Sequence, residues 1–185
     1  MEHETDEILV THIQSGNHDL FGLLIDRYEQ KLKRYARKFI NNADDIEDGV
    51  QEVFIKAYVN ILSFDATKRF SPWIYRIAHN TFVNVLKKKH YVPSLLFDAD
   101  TILPQLPAPE TADKEALAQE LKEAMEHSLD ALPLKYKEPL VLYFYEDMNY
   151  QDIADVLHIP ISTVGVRMQR AKQKLRALYE LHTNR

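Results

Sequence analysis

The sequence contains no cysteine and only 4 glycines among its 185 residues. The absence of cysteine excludes a disulfide framework and a thiolate metal site, and so few glycines argue against a glycine-rich phosphate loop. The sequence also lacks an apolar run of the roughly 18 residues that a membrane-spanning helix needs. Its start, MEHETDEILV, is acidic and unlike a secretory signal. These absences predict a protein of the cytoplasm that does not insert into a membrane.

The overall composition is that of a folded protein. Hydrophobic residues make up 45% of the chain and charged residues 28%, both near the averages of globular proteins. The length suits one ordinary domain or two small ones joined by a linker.

Charge is distributed unevenly along the chain, although the net charge is -5. Residues 1–60 hold 7 Lys and Arg against 12 Asp and Glu, whereas residues 61–91 hold 6 Lys and Arg and a single acid, Asp65. A second basic segment, 161–177, contains five positive side chains and no negative one. An acidic protein with one basic segment in each half is expected to meet an anionic partner at two places.

The apolar residues predict an all-α fold of two small helical domains. They recur at intervals of three and four over 19–40, 45–62 and 70–89, and again over 114–132, 137–148 and 150–181, which is the spacing of amphipathic helices. Ser71 is the expected N-cap of the third helix, with Pro72 at its first helical position. Residues 92–113 contain four of the 8 prolines, are acidic and show no period, so they are predicted to be an irregular linker.

Residues 150–177 have the layout of a helix-turn-helix. A short helix is predicted from Tyr150 to about Leu157, followed by a turn at 158–160 and a second helix capped by Ser162. On the second helix Arg167, Arg170 and Lys174 share one face, where they can meet phosphates while the first turns reach base edges. The alternative is a solvated basic face, which a preceding helix-turn-helix makes less favoured.

The other basic segment, FDATKRFSPWIYRIAHNTFVNVLKKKH, interleaves positive charges with aromatic rings. This combination suits unstacked bases of single-stranded nucleic acid, because any base can stack on a ring while the cations neutralise phosphates. Trp73 and Ile77 are expected to lie in the core. The candidates for nucleic-acid contact are Phe64, Lys68, Arg69, Asn80, Lys87, Lys88 and Lys89.

A cluster of carboxylates precedes this segment, in DDIEDGVQE. It contains no His or Cys and lacks calcium-loop spacing. The plainest interpretation is a helix N-terminus, where the helix dipole favours acids; a protein-docking face and a metalloenzyme using Asp44, Asp45 and Glu52 are alternatives. The 8 histidines are scattered at no ligand spacing, so no metal, no cofactor and no catalytic residue is predicted.

Two long segments resemble one family. DDIEDGVQEVFIKAYVNILSFDATKRFSPWIYRIAHN resembles the polymerase-binding and promoter-melting segment of bacterial sigma factors of the extracytoplasmic-function (ECF) group of the sigma-70 family. LPLKYKEPLVLYFYEDMNYQDIADVLHIPISTVGVRMQRAKQKL resembles their C-terminal helix-turn-helix domain. The resemblance implies that 1–91 is sigma region 2, 92–113 a linker threaded through polymerase, and 114–185 sigma region 4.

The resemblance also implies partners and roles for particular residues. The partners would be core RNA polymerase, through its clamp coiled coil and flap, promoter DNA in duplex and single-stranded form, and an anti-sigma factor. The segment 64–80 would capture a base flipped out of the minus-10 element, with Phe64 and Asn80 at the pocket. Residues implied to dock on polymerase are Asp45, Glu47, Asp48, Gln51, Glu52 and Phe54, and those implied to read the minus-35 element are Ser162, Thr163, Val166, Arg167, Arg170 and Lys174.

Two glycines depart from the family pattern. Gly165 stands where the recognition helix usually carries a lysine, which removes a basic contact, and Gly49 stands where a larger apolar residue is usual, which is expected to weaken or bend the docking helix. The alternative function is a dimeric helix-turn-helix regulator that binds DNA without polymerase. Such a regulator does not need the aromatic and basic segment of the first half.

Overall fold

The computed structural model of the chain describes residues 4–88, 129 and 131–183, the last six as helix backbone only. By packing, the chain divides into two compact units, one formed by 1–92 with 151–159 and the other by 93–150 with 160–185. Regular structure in the described parts is helical, which confirms the predicted all-α fold. The predicted linker and most of 114–130 lie outside the described residues, so the domain boundaries 1–91, 92–113 and 114–185 stay a prediction.

The first unit is built around two long helices that pack against each other, α3 and α4. In chain order its elements are α1 (Asp6–Gln14), a 3-10 turn (His18–Leu20), α2 (Phe21–Ala36), α3 (Ala43–Asn60), a second 3-10 turn (Ile61–Ser63) and α4 (Phe70–Lys88). Helix α2 packs on α3, and α1 contacts both α2 and α4.

Helices α1 and α3 begin at local N-cap residues, whereas the first amide of α4 is bonded by a residue distant in sequence. The Thr5 hydroxyl accepts a hydrogen bond from the Ile8 amide, and the Asn42 side chain accepts one from the Asp45 amide at 2.9 Å, so both are N-caps. Helix α4 begins at Phe70, whose amide donates to the Glu7 carboxylate of α1 at 2.9 Å. The expected Ser71 cap is therefore wrong, because a residue from another helix satisfies the first amide.

Aromatic rings fill the core of the first unit. Tyr35 and Tyr75 are fully buried and meet edge to face at a centroid distance of 5.1 Å, and Phe82 lies 5.9 Å from Tyr35. Gly49 of α3 faces this cluster, and a Cβ at residue 49 would lie 3.1 Å from Cε1 of Phe82. The predicted weakening or bending does not interrupt the helix, since α3 runs through Gly49 as one element.

The second half contains α5 (Leu134–Tyr145), α6 (Tyr150–Leu157) and α7 (Ile161–Thr183). Helix α5 packs along α7, with Leu142, Val164 and Met168 buried. The succession of α6, a three-residue turn and α7 matches the predicted helix-turn-helix bounds.

The turn between α6 and α7 is shaped by two of its three residues. His158 takes the left-handed conformation with φ 53°, and the Ile159 amide donates to the Ala154 carbonyl at 3.1 Å, a common way to end a helix. Helix α7 begins at Ile161, with the amides of Thr163 and Val164 donating to the Pro160 carbonyl. The predicted Ser162 cap is therefore wrong.

Candidate nucleic-acid interface

Residues 64–69, named the capture loop below, connect the second 3-10 turn to α4. The loop is folded by its own hydrogen bonds: Asp65 Oδ1 accepts from the Thr67 amide at 3.1 Å and from the Thr67 hydroxyl at 2.6 Å, and the Lys68 amide donates to the Asp65 carbonyl. The hydrogen bond from the Thr67 hydroxyl lowers the pKa of the Asp65 carboxyl, and the bond from the Thr67 amide lowers it further by a smaller amount. Lys68 and Arg69 are left exposed at the surface of this turn.

The capture loop and the first turns of α4 enclose a cavity of ≈ 680 Å³. Phe64, Lys68 and Arg69 line it, so the structure brings together three of the residues predicted for minus-10 contact. Trp73 also lines the cavity, with its ring 5.0 Å from that of Phe64. The prediction that Trp73 is a core residue is wrong, because its side chain is only half-buried and faces this cavity.

Carboxylates of α6, which packs as part of the first unit, complete the cavity wall. Arg69 Nη1 donates to Asp152 Oδ2 at 2.5 Å, and Asp155 lies nearby in the same wall. The Arg69 guanidinium is thus paired with an anionic oxygen, the type of acceptor that a phosphate offers.

Helix α4 continues the basic surface beyond the cavity. Arg76, Asn80 and Lys87 are exposed and are spaced four and seven residues apart, which places them on one face of the helix. Asn80 does not line the cavity but lies one turn further along α4 than Arg76, which does. Lys88 is exposed as well, and Lys89 lies outside the described residues.

The predicted docking residues of α3 divide into exposed and buried ones. Asp48, Gln51 and Glu52 are exposed, whereas Phe54 is 8% exposed and packs edge to face on Phe21. The Phe54 side chain thus packs in the core, and its predicted part in polymerase docking stays a prediction.

Ion pairs hold part of the acidic face in place. Lys33 Nζ lies 2.8 Å from Glu29 and 2.7 Å from the predicted docking residue Glu47. The hydrogen bonds that Lys33 donates to Glu29 and, to a smaller extent, to Glu47 raise the pKa of Lys33. Glu52 pairs with Lys56 at 2.7 Å, and Asp45 is half-buried in the first turn of α3.

Three apolar side chains extend the exposed face of α3 and were not predicted as site residues. Ile55, Val59 and Leu62 are 64%, 72% and 67% exposed. They follow Asp48 and Glu52 at helical spacing, so acidic residues and then apolar ones share one line of the surface. This line, Asp48, Glu52, Ile55, Val59 and Leu62, is named the α3 outer stripe. The helical period carried the signal, since these three positions fall off the buried stripe through Val50 and Ala57.

The predicted minus-35 residues lie on the outer side of α7. Ser162 and Arg170 are exposed, Val166 is 47% exposed, and Thr163 and Arg167 are half-buried. Lys174 is also half-buried, with its Nζ 5.6 Å from the centroid of the Tyr136 ring of α5. Lys174 is thus engaged in a cation–π contact within its own unit.

Two kinds of feature are absent from the described residues: a membrane-spanning helix and a cluster of metal ligands. No helix among them is both long enough and apolar enough to cross a membrane. Within 4–88, 129 and 131–183, no three His, Cys, Asp or Glu side chains are grouped as a metal ion would require, so Asp44, Asp45 and Glu52 are not brought together in this way.

Family models match both halves of the chain. Residues 24–91 match Sigma-70 region 2, and residues 122–175 match Sigma-70, region 4. The first match includes the capture loop, and the second includes the whole of α6.

Full-length relatives agree with these matches. The chain is 32% identical over 175 residues to the ECF RNA polymerase sigma factor SigW of Bacillus subtilis, with 90% of this chain and 92% of the relative covered. It is 34% identical over 180 residues to the ECF RNA polymerase sigma-E factor of Haemophilus influenzae, covering 94% and 95%.

Solved structures have the same fold. CnrH, in complex with the cytosolic domain of CnrY, superposes with a TM-score of 0.69 at 26% identity over 96% of this chain and 99% of that one. The sigma factor RpoE of Bartonella quintana, in complex with the anti-sigma factor NepR, has a TM-score of 0.61 at 22% identity, covering 86% and 96%. The chain belongs to the sigma-70 family of RNA polymerase sigma factors, in its ECF group.

Proposed function

We propose that this sigma factor docks on core RNA polymerase through α3, opens and holds the minus-10 element with the capture loop and α4, and reads the minus-35 element with α7. Family membership favours this function over a regulator that binds DNA without polymerase. The chain matches region 2 over residues 24–91 and also contains a helix-turn-helix, and a free-standing regulator has no use for the former.

One observation carries the minus-10 assignment: Phe64, Lys68 and Arg69 meet Trp73 around one cavity, from which Arg76, Asn80 and Lys87 continue along α4. An unstacked base would enter the cavity beside the aromatic rings while the cations bind the flanking phosphates. Base flipping costs a few kcal/mol of unstacking, and capture by the protein offsets it. Melting is then driven by binding, and the protein supplies no catalytic residue.

For the minus-35 element, α7 would enter the major groove with its N-terminal turns. Ser162, Thr163 and Val166 would reach base edges, and the exposed Val166 offers an apolar surface suited to a thymine methyl group. Arg167 and Arg170 would bind phosphates or guanine further along the helix.

For polymerase, the docking surface is the exposed part of α3. Asp45, Glu47, Asp48, Gln51 and Glu52 supply its polar part. The rest of the α3 outer stripe, Ile55, Val59 and Leu62, continues it with apolar surface. Interfaces of this kind combine a charged rim with apolar anchors, and truncating the anchors costs the most affinity.

Regulation by a second protein fits the same surface. The structurally similar CnrH was solved with the cytosolic domain of CnrY, and an anti-sigma factor is the partner that the sequence resemblance predicts. An anti-sigma factor that covered the α3 outer stripe would compete directly with polymerase. We place the protein in the cytoplasm, where bacterial RNA polymerase acts.

The net charge of -5 has a consequence for DNA binding. Most of the surface repels phosphate, so the free protein is expected to bind promoters weakly until polymerase supplies further contacts. Tight promoter binding by the free protein at physiological salt would contradict this expectation.

The function is tested by run-off transcription and gel shift on genomic fragments, with the protein alone, bacterial core polymerase alone, and both together. Specific transcripts are expected only from the combination. Asn80→Ala and Arg167→Ala are expected to abolish them.

The matched controls are Asn41→Ala, at an exposed loop position before α3, and Arg176→Ala, at an exposed position further along α7. Both are expected to leave transcription intact. Specific DNA binding by the protein alone, unchanged by core polymerase, would overturn the proposed function.

A further inference from the structure

Helix α1 contains none of the predicted site residues, yet it bonds to the start of the capture loop. Gln14 Nε2 donates to the Ile61 carbonyl and to the Phe64 carbonyl, both at 2.8 Å. Both carbonyls lie just after the C-terminal end of α3, where backbone carbonyls no longer find helical N–H partners. A single amide nitrogen with two hydrogens fits two converging acceptors, and Gln14 thereby sets the direction in which the chain leaves Phe64.

A second residue of α1 bonds to the other end of the loop. Glu7 Oε1 accepts a hydrogen bond from the Phe70 amide at 2.9 Å, at the first residue of α4. Glu7 and Gln14 are seven residues apart, two turns on the same face of α1. The two side chains therefore bracket residues 64–69 from one rigid element, at both points where the loop joins regular structure.

Helix α1 is itself firmly placed. Leu9, Val10 and Ile13 are fully buried. At its start Asp6 accepts from Arg27 Nη1 at 2.7 Å and from the Tyr28 hydroxyl at 2.5 Å, which ties α1 to α2. An element fixed by burial and by two hydrogen bonds can hold the loop ends at constant separation.

We propose that Gln14 and Glu7 are positioning residues for minus-10 recognition, which hold the capture loop in the shape that accepts a flipped base although neither lines the cavity. The inference rests on the proposed function, because it concerns how the same loop reads DNA. Recognition of one base among four depends on geometry within the pocket, whereas affinity for any single strand depends mainly on charge and stacking. Loss of the Gln14 hydrogen bond at Phe64 is therefore expected to reduce discrimination between bases more than it reduces affinity for single strands in general.

The test uses the full chain and a single-stranded oligonucleotide carrying the minus-10 segment of a fragment transcribed in the assay above, together with its single-base variants. Gln14→Met keeps the length of the side chain and removes both donors, and Gln14→Glu replaces the amide with a carboxylate that cannot donate. Fluorescence anisotropy is expected to show that both variants bind matched and mismatched strands nearly alike, where the wild-type protein separates them by about tenfold or more. The matched control is Gln30→Met, at an exposed position of α2.

A second measurement separates positioning from folding. Affinity for core polymerase and for duplex minus-35 DNA is expected to stay within about twofold of wild type, since neither surface includes the capture loop. Unchanged discrimination in both Gln14 variants would overturn the inference, and so would equal loss of polymerase, duplex and single-strand binding, which marks a merely structural role. If the wild-type protein fails to discriminate among the strands even when core polymerase is present, the proposed minus-10 role of the capture loop fails instead.

Discussion

The ring of Phe82 occupies the space beside Gly49, so that a Cβ at residue 49 would lie 3.1 Å from Cε1 and 3.3 Å from Cδ1. Glycine at this position lets α3 approach α4 closely over a fully buried aromatic cluster.

Gly49→Ala is expected to destabilise the first unit. Overpacking a core costs about 1–3 kcal/mol, which outweighs the roughly 1 kcal/mol that alanine gains over glycine in a helix. The measurement is urea unfolding followed by circular dichroism. Gly22→Ala in α2 is the control, since a Cβ there meets nothing within 4 Å, and it is expected to stabilise. Equal gains in both variants would show that Phe82 moves aside freely.

Gly165→Lys is expected to strengthen binding to minus-35 duplex DNA. A Cβ at residue 165 meets nothing within 4 Å, so the lysine enters without a clash and adds one positive charge to α7. One new phosphate contact steepens the slope of log affinity against log salt concentration by about one. Anisotropy titrations over a range of salt concentrations measure this slope. Gly165→Ala shares the gain in helix propensity without the charge, and identical slopes for the two variants would count against the contact.

Tyr28 makes the stability of the first unit sensitive to alkaline pH. Its side chain is 3% exposed, and its hydroxyl donates to Asp6 at 2.5 Å. Burial, followed by the bond to Asp6, raises the pKa of Tyr28 well above its ordinary value of about 10. A raised pKa contributes stability that is complete below pH ~10 and is lost as the pH rises further, because only the unfolded chain ionises there. Urea midpoints between pH ~8 and ~11 are expected to fall.

The other tyrosines and the lysines also titrate in this range, so the comparison is with Tyr28→Phe. That variant keeps the buried ring and removes the ionisable group, and it is expected to lose less stability than wild type between the two pH values. Tyr58→Phe, at a position that is 45% exposed, serves as the control and is expected to follow wild type. The same pH slope in wild type and Tyr28→Phe would refute the assignment.

Asp48 and Phe54 are expected to fail in different ways when changed. Asp48→Lys reverses an exposed charge on the α3 outer stripe and should weaken binding to core polymerase by about tenfold, with little change in stability. Phe54→Ala removes a buried ring and should cost about 3 kcal/mol of unfolding free energy. Surface plasmon resonance with core polymerase and urea unfolding, measured on both variants, distinguish the two. Asp26→Lys, at an exposed position of α2, is the charge control. Equal losses of polymerase affinity in Asp26→Lys and Asp48→Lys would refute the assignment of Asp48 to the interface.

Sequence periodicity predicted α2 to α7 and most of the core, because burial imposes a repeat of 3.6 residues that can be counted. Helix α1 (Asp6–Gln14) was not predicted. The same period was the better guide for Phe54, which falls on the buried stripe of α3 with Val50 and Ala57. The family resemblance assigned Phe54 to the docking motif, but a pattern of residue types does not record which way a side chain points.

Other features depend on contacts between distant parts of the chain. The start of α4 is set by Glu7, which lies 63 residues before Phe70, and no local pattern at Ser71 and Pro72 records that bond. Trp73 was assigned to the core because large aromatics at helical spacing usually belong there. Its half-exposed position follows from the capture loop folding beside it to form a cavity instead of a packed layer.

Gln14 lies 50 residues before Phe64 in the chain, yet the two are joined by a hydrogen bond. Grafting residues 64–69 alone between related sigma factors would therefore transfer the residues of the loop without the α1 hydrogen bonds that hold its ends in place. We expect a working chimera to need the donor's helix α1 together with the loop, which makes the segment from Asp6 to Phe70 the smallest piece that we expect to be interchangeable.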